Sequence, residues 1–302
     1  MLDRTDRLVF GTAALGLDYG LARPGAESSR NAMPARDVAL ALVRAAHAKG
    51  LRVFDTAPAY GESEERLGAA LEGLEAEVWT KVGRVERVDE GLSDTLERSL
   101  TDSLAKLRRP RVALLQWHNW TTSLGENQHF RAAWEKLSGD PRVGALGAST
   151  YGVADALAAV ESGLFRWVQV EWNLLRPMVI DRVGALAQER GVNLSVRSVY
   201  LQGALTDEGR KLPSLPTLEA GVARARALAA QSGLGLTALS LRAALEHRWI
   251  ARVLMGIDRI EQVDEARAIA AGAGLSESVL SALPSLSLGD DPATDPRNWR
   301  LT

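Results

Sequence analysis

The sequence predicts a single-domain (β/α)8 TIM barrel spanning residues 1–302. Three observations carry that expectation: eight short apolar runs, a helical period between successive runs, and no Pro/Gly/Ser linker long enough to divide the chain. In order, the runs are "RLVFGT" (7–12), "LRVFDT" (51–56), "EVWTKV" (77–82), "RVALLQW" (111–117), "RVGALGAS" (142–149), "RWVQVEW" (166–172), "VNLSVRS" (192–198) and "ARVLMGI" (251–257). Each is bounded by polar or glycine residues. Such runs suit parallel strands covered on both faces.

The intervening stretches read as helices. "ARDVALALVRAAHAKG" (35–50) places Val38, Leu40, Ala41, Leu42 and Ala45 on one side and closes on Lys49 and Gly50, a helix stop. "SEERLGAALEGL" opens on Ser63 with acids in its first turn, which suits a helix N-terminus. Leucines at 92, 96, 100, 104 and 107 form one helical face, and further helical segments follow at 128–138, 152–162, 178–190, 217–231 and 260–271. An open doubly wound sheet is the alternative architecture, but no glycine-rich phosphate fingerprint follows the first strand. The nearest match, Gly233, Gly235 and Ala238, follows no strand and reads as a turn between helices. Two parts lie outside the repeat: an insertion at 205–217 after the seventh strand, and a Pro/Asp-rich tail at 283–302 that is expected to cover the barrel mouth.

Composition narrows the partners. The chain is 46% hydrophobic and 25% charged, with 36 Lys plus Arg against 38 Asp plus Glu, so it has no bulk field that would draw it to nucleic acid or anionic membranes. A small-molecule partner is expected. The absence of cysteine removes disulfides, thiolate metal sites and cysteine nucleophiles, and fits a cytoplasmic setting. The first residues, "MLDRTDRLVFG", have acids and too short an apolar run for a signal peptide, and no stretch has the length of a membrane span.

In a barrel of this kind chemistry collects where the strands end. Those positions hold Asp55 and Tyr60 after the second strand, Lys81 in the third and His118 after the fourth. Ser149 and Thr150 follow the fifth, and Gln169, Glu171 and Asn173 surround the sixth. Taken singly, each has a structural explanation: a solvated lysine, a packed histidine, a capping aspartate. Together they fit one chemistry. A buried carboxylate after an apolar strand needs a cationic partner, and Lys81 on the neighbouring strand supplies it. A phenol ordinarily titrates at about 10, and a nearby ammonium favours its phenolate, so Lys81 is expected to prepare Tyr60 as a proton donor. His118 is expected to orient a substrate oxygen or carry a second proton. The set has no nucleophile and no metal, so the electrons must come from outside.

Competing constellations are weak. "GASTYG" (147–152) has the spacing G-x-S-x-x-G rather than that of a nucleophile elbow. His47, His129 and His247 stand apart at no metal-ligand spacing.

With these residues in view, the chain resembles the aldo-keto reductase family: "DTAPAYG", "WTKVG" and "LLQWH" match that family's catalytic tetrad in order and context. The resemblance implies an NAD(P)H-dependent carbonyl reductase or alcohol dehydrogenase without a Rossmann domain. It gives Tyr60 the role of general acid, Asp55 and Lys81 that of tuning it, and His118 that of orienting the carbonyl. It further implies cofactor contacts from Gly11 and Thr12 in "FGTAALG", from Ser149, Thr150 and Gln169, from Arg197, and from Gly256, Arg259, Gln262 and Glu265 in "GIDRIEQVDEA". There are departures from the family pattern. Thr150 replaces the usual asparagine, Arg197 stands where an aromatic residue stacks on the nicotinamide, and Gln262 and Ala266 replace the usual basic and asparagine residues. Arg259 remains as the candidate anchor for a 2′-phosphate, with Asp258 beside it opposing. NADPH is expected mainly from the family resemblance, with NADH as the alternative.

The substrate pocket is expected to be framed by Leu17, Asp18 and Tyr19, by Trp117 and Trp120, by Trp172, and by Trp299 in the tail, while Trp79 and Trp167 belong to the core. Aromatic walls with few polar groups suit a small aldehyde or ketone, including a sugar-like one. Two other functions are weighed. A nucleotide-binding sensor or accessory subunit would not need the whole tetrad, and a hydrolase would need a carboxylate pair, for which Asp55 with Glu171 is the one candidate.

Overall fold

The computed structural model describes residues 4–299. Eight parallel strands close into a barrel in chain order: β1 (Leu8–Gly11), β2 (Val53–Asp55), β3 (Glu77–Lys81), β4 (Leu114–Trp117), β5 (Leu146–Ser149), β6 (Trp167–Glu171), β7 (Asn193–Arg197) and β8 (Ile250–Gly256), with β1 paired to β8. Each strand falls within a predicted run or within one residue of it. Around and between them lie α1 (Ala13–Gly16), α2 (Arg36–Ala48), α3 (Ser63–Ala70), α4 (Leu92–Leu107), α5 (Thr122–Glu126), α6 (Gln128–Ser138), α7 (Gly152–Glu161), α8 (Met178–Glu189), α9 (Pro216–Gln231), α10 (Leu236–Glu246), α11 (Glu261–Ala271) and α12 (Glu277–Ala282).

The two-residue period of the strands sorts their side chains into two populations. Phe10, Phe54, Val78, Leu115, Val168 and Val196 pack outward against the helices, in the larger core. Val9, Val53, Trp79, Leu114 and Leu254, joined by Trp167, fill the barrel interior as a second cluster. Trp79 and Trp167 meet there with ring centres 5.0 Å apart, which places them in the core as expected. Two residues further along β2, β3 and β6, and along β4, the same inward rows carry Asp55, Lys81, Gln169 and Gln116. The apolar plug thus sets the floor of the mouth, and the polar groups stand directly above it.

Some local expectations change. The buried face of α2 is Ala39, Leu42, Val43 and Ala46, spaced three and four residues apart, whereas Val38 is 52% exposed because it lies a helical step off that stripe. Ser63 does not cap α3. Its Oγ is buried, lies 2.7 Å from Thr12 Oγ1 and 2.9 Å from Thr56 Oγ1, and donates to the Thr12 carbonyl. The insertion ends two residues early, at Leu215, since Pro216 opens α9, as suits a residue with no N–H to satisfy. The tail packs on the loop after β6: Leu288 N donates to the Leu175 carbonyl, and Arg176 reaches Asp290 and Thr294 at 3.3 Å each. The last three residues of the predicted tail lie outside the described ones.

Candidate active site

Asp55 is the hub of the mouth. Its Oδ1 accepts from Lys81 Nζ at 2.6 Å, and its Oδ2 accepts from Gln116 Nε2 at 3.0 Å and Gln169 Nε2 at 3.1 Å. Lys81 is fully buried and also donates to the Thr56 carbonyl at 2.8 Å. Burial disfavours the ammonium, but the Asp55 charge and contacts with Asp55 and Tyr60 outweigh it and hold the Lys81 pKa above its ordinary value. The charged form therefore persists. Its Nζ lies 4.9 Å from the centre of the Tyr60 ring.

Tyr60 meets His118 edge to face, with ring centres 5.8 Å apart. Burial, then the positive charges of Lys81 and Arg197, push the His118 pKa down to about 3. The imidazole is neutral at any ordinary pH, so it can donate or accept a hydrogen bond but has no extra proton to give. Of the two roles expected for it, orientation is the one this environment favours.

Tyr60 is held by a close approach of two loops. A Cβ on Gly16 would collide with the Tyr60 carbonyl and the Ser63 amide, and one on Gly61, whose φ is +57°, would collide with the Gly16 carbonyl. Glycine at both positions lets the segment after β1 press directly on the segment carrying Tyr60.

The expected cofactor residues fall into two groups. At the mouth, Ser149 and Gln169 are register partners on β5 and β6, and Gln169 Oε1 and Thr150 Oγ1 are buried without hydrogen-bond partners. These orphaned atoms suit a carboxamide, which both donates and accepts. Gly11 is the register partner of both Asp55 and Gly256. Thr12 is buried and donates to the Asp55 carbonyl at 2.9 Å, which supports the end of β2 from below. Arg197 is tied to the Thr150 carbonyl at 2.9 Å, lies 3.7 Å from Glu171, and stacks on the Tyr151 ring at 4.1 Å. Arg297 from the tail covers that ring at 3.6 Å.

The second group lines a cleft that starts at Ala14 and Tyr19 and runs past Gly256 to Arg259, Gln262 and Glu265. Burial first, then the neighbouring Tyr60, raise the Tyr19 pKa. A Cβ on Gly256 would meet nothing within 4 Å, so this stretch of floor is open. The loops after β1 and β7 join across the cleft: Leu21 N donates to the Gln202 carbonyl at 2.9 Å and Lys211 N to the Ala22 carbonyl at 3.0 Å. The insertion forms one side of this strap. This roofed cleft, whose lining begins at Ala14 and Tyr19, suits part of an extended dinucleotide.

The expected tryptophan walls are placed differently from one another. The Trp120 ring is buried, packs edge-on to Phe165 and lies over Gly125, among the helices rather than with Tyr60 and His118. Trp117 likewise packs on Phe130 and Trp134. Trp172 is buried after β6, and Trp299 donates from Nε1 to the Ala293 carbonyl at 2.8 Å within the tail. Tyr19 remains 37% exposed beside the mouth. Gln116 was not anticipated. Its signal lay in the two-residue period of "LLQW", which faces it inward beside Lys81.

This barrel, with an Asp, a Tyr, a Lys and a His converging at one rim, accords with the aldo/keto reductase family, whose profile matches residues 7–287. The chain belongs to that family. As an aldo/keto reductase it is an oxidoreductase of carbonyl chemistry, in a family whose members use a nicotinamide cofactor. Among its relatives is L-galactose dehydrogenase of Arabidopsis thaliana, 27% identical over 274 residues, covering 85% of this chain and 81% of the relative. A glycerol dehydrogenase structure from Gluconobacter oxydans superposes with a TM-score of 0.69 at 21% identity, covering 93% of this aldo/keto reductase and 90% of that chain. A Pseudomonas aeruginosa aldo-keto reductase homologue gives 0.63 at 24% identity over 88% and 89%. At such identities the structural likeness speaks for the fold. Among the described residues no cluster of three or more His, Cys, Asp or Glu is arranged to hold a metal, and no helix is long and apolar enough to cross a membrane.

Proposed function

We propose that the protein interconverts a small polyhydroxylated aldehyde or ketone and its alcohol, with Tyr60 as the proton donor and acceptor. The observation that carries this reading is the buried Lys81–Asp55 pair beneath Tyr60, with His118 across from it. When bound, the nicotinamide supplies or accepts the hydride at the carbonyl carbon. The Tyr60 hydroxyl gives its proton to the carbonyl oxygen as negative charge develops there, and Lys81 opposes the resulting phenolate charge with its fixed ammonium. Asp55, held by two glutamine amides, keeps Lys81 in place. Neutral His118 offers a hydrogen bond to the same oxygen and thereby sets the face presented to hydride. Gln169, Ser149 and Thr150 would hold the carboxamide. In the alcohol-to-carbonyl direction the same proton path runs backward.

The sugar-like substrate is suggested by the L-galactose dehydrogenase relative and by a mouth that combines Tyr60, His118, Glu171 and Arg197. We take residues 1–302 to work as one unit in the cytoplasm, with the tail forming part of the rim. The expectation of NADPH comes mainly from the family resemblance, with Arg259 as its candidate anchor, whose partners are considered below.

The test follows the near-ultraviolet absorbance of reduced nicotinamide while the purified protein is given aldoses, glyceraldehyde and aromatic aldehydes, and, with oxidised cofactor, aldoses and glycerol. Turnover with at least one polyhydroxylated compound, faster than with the aromatic aldehydes, is expected. Cofactor binding without turnover across the panel would instead support a nucleotide-binding role.

A further inference from the structure

At the outer end of the cleft the charged groups are already paired with one another. Arg259, the expected 2′-phosphate anchor, is already ion-paired with Glu208 from the insertion. Glu208 also accepts from Gln262 Nε2 at 3.0 Å and from Arg210 at 2.7 Å, and Arg23 lies 3.7 Å away. Gln262 Oε1 in turn accepts from the backbone N–H groups of Asp258 and Arg259, at 2.8 and 3.2 Å. The amide donors that precede α11, otherwise suited to a phosphate, are thus taken.

Charge points the same way. The cleft is lined by the carboxylates of Asp207, Glu208, Asp258 and Glu265 against the guanidiniums of Arg210 and Arg259, with Arg23 beside it 3.3 Å from Asp258. Asp207 is engaged by the first amides of α10, but its field and that of Glu208 still reach Glu265; burial first, then those two charges, raise the Glu265 pKa. A phosphate here would add about two negative charges to a site already rich in them. Three buried atoms at this end have no hydrogen-bond partner: Arg210 Nε on a side chain only 6% exposed, Asp258 Oδ1 and Gln202 Oε1. One donor and two acceptors match hydroxyl groups, which both give and take hydrogen bonds, and do not match an acceptor-only phosphate.

We propose that Glu208 is the cofactor-selecting residue, accepting from the ribose hydroxyls of an unphosphorylated adenosine, so that this protein binds NAD(H) in preference to NADP(H). Carboxylate recognition of a ribose diol and guanidinium recognition of a 2′-phosphate are alternative solutions to one problem, and here the carboxylate has neutralised the guanidinium. The inference rests on the cofactor reading above.

The experiment measures dissociation constants for NADH and NADPH by quenching of tryptophan fluorescence, in the wild type and in Glu208→Gln and Glu208→Asp, with circular dichroism to confirm the fold. Wild type is expected to bind NADH about tenfold or more tighter than NADPH. Glu208→Gln, which releases Arg259 and removes a negative charge, is expected to narrow that ratio about tenfold or more, and Glu208→Asp to narrow it less. Equal or tighter NADPH binding by the wild type overturns the inference while leaving the oxidoreductase reading intact. An unchanged ratio in Glu208→Gln overturns the role of Glu208. Binding of neither cofactor by the wild type defeats the cofactor reading itself, and the inference with it.

Discussion

Removing one member of the Lys81–Asp55 pair should be far worse for stability than removing both charges. The ammonium has no solvent exposure, and its anionic partner is Asp55 at 2.6 Å. Lys81→Met leaves a buried carboxylate with only the amides of Gln116 and Gln169, and Asp55→Asn leaves a buried ammonium facing neutral groups. Each single change is expected to cost about 3–5 kcal/mol, since an uncompensated buried charge remains. In the double variant no buried charge is left, methionine retains most of the lysine's volume, and the loss should fall to about 1–2 kcal/mol from missing hydrogen bonds. The two effects are therefore non-additive by about 3 kcal/mol or more. Urea denaturation followed by tryptophan fluorescence reads this as midpoint shifts of roughly 1 M or more for the singles and a smaller one for the double. All three variants should lose turnover: Lys81→Met and the double variant lack the ammonium beneath Tyr60, and Asp55→Asn removes the carboxylate that holds that ammonium in place. Additive losses in the double variant would refute the claim that the two groups are present to answer one another.

Three further expectations follow from the same geometry. His118 has a folded-state pKa of about 3, below its ordinary value of 6.5, so the fold favours the neutral ring; its contribution is complete above about 6.5 and declines as pH falls toward 3. Wild type should lose about 1 kcal/mol per pH unit through this group across that window, and His118→Phe should show a correspondingly flatter stability profile in urea titrations between pH 4.5 and 7. Gly16→Ala should force the Tyr60 segment away from α1 and lower kcat about tenfold or more with a smaller change in cofactor affinity, measured by steady-state kinetics and by titration. In the Glu208 variants, NADPH affinity should rise as NADH affinity falls, the fluorescence titration being the measure.

Much of the fold could be read from the chain because a parallel barrel buries each strand on both faces, which leaves short β-branched runs, and no glycine-rich fingerprint followed the first of them to favour an open sheet. The convergence of Asp55, Tyr60, Lys81 and His118 could be read because they sit at strand ends, where a buried acid such as Asp55 demands a partner. What escaped reading depends on contacts between distant segments. Glu208 and Arg259 are separated by a helical pair and β8, so the sequence shows a basic residue at 259 but not the carboxylate that occupies it. Trp120 looked like a mouth residue from its place beside His118, yet its ring turns to Phe165, because the backbone at Asn119 adopts a positive φ of 60° that redirects the chain. On α2, counting apolar residues included Val38, while burial follows the stripe through Ala39, Leu42, Val43 and Ala46.

The central claim, that Tyr60 moves the proton in a nicotinamide-dependent carbonyl reaction, is tested most directly by Tyr60→Phe. The change removes one hydroxyl and little surface, so the account predicts that the fluorescence-measured cofactor dissociation constant stays within about twofold while kcat for the best substrate falls about a thousandfold or more. A Tyr60→Phe protein that turns over at the wild-type rate would contradict it.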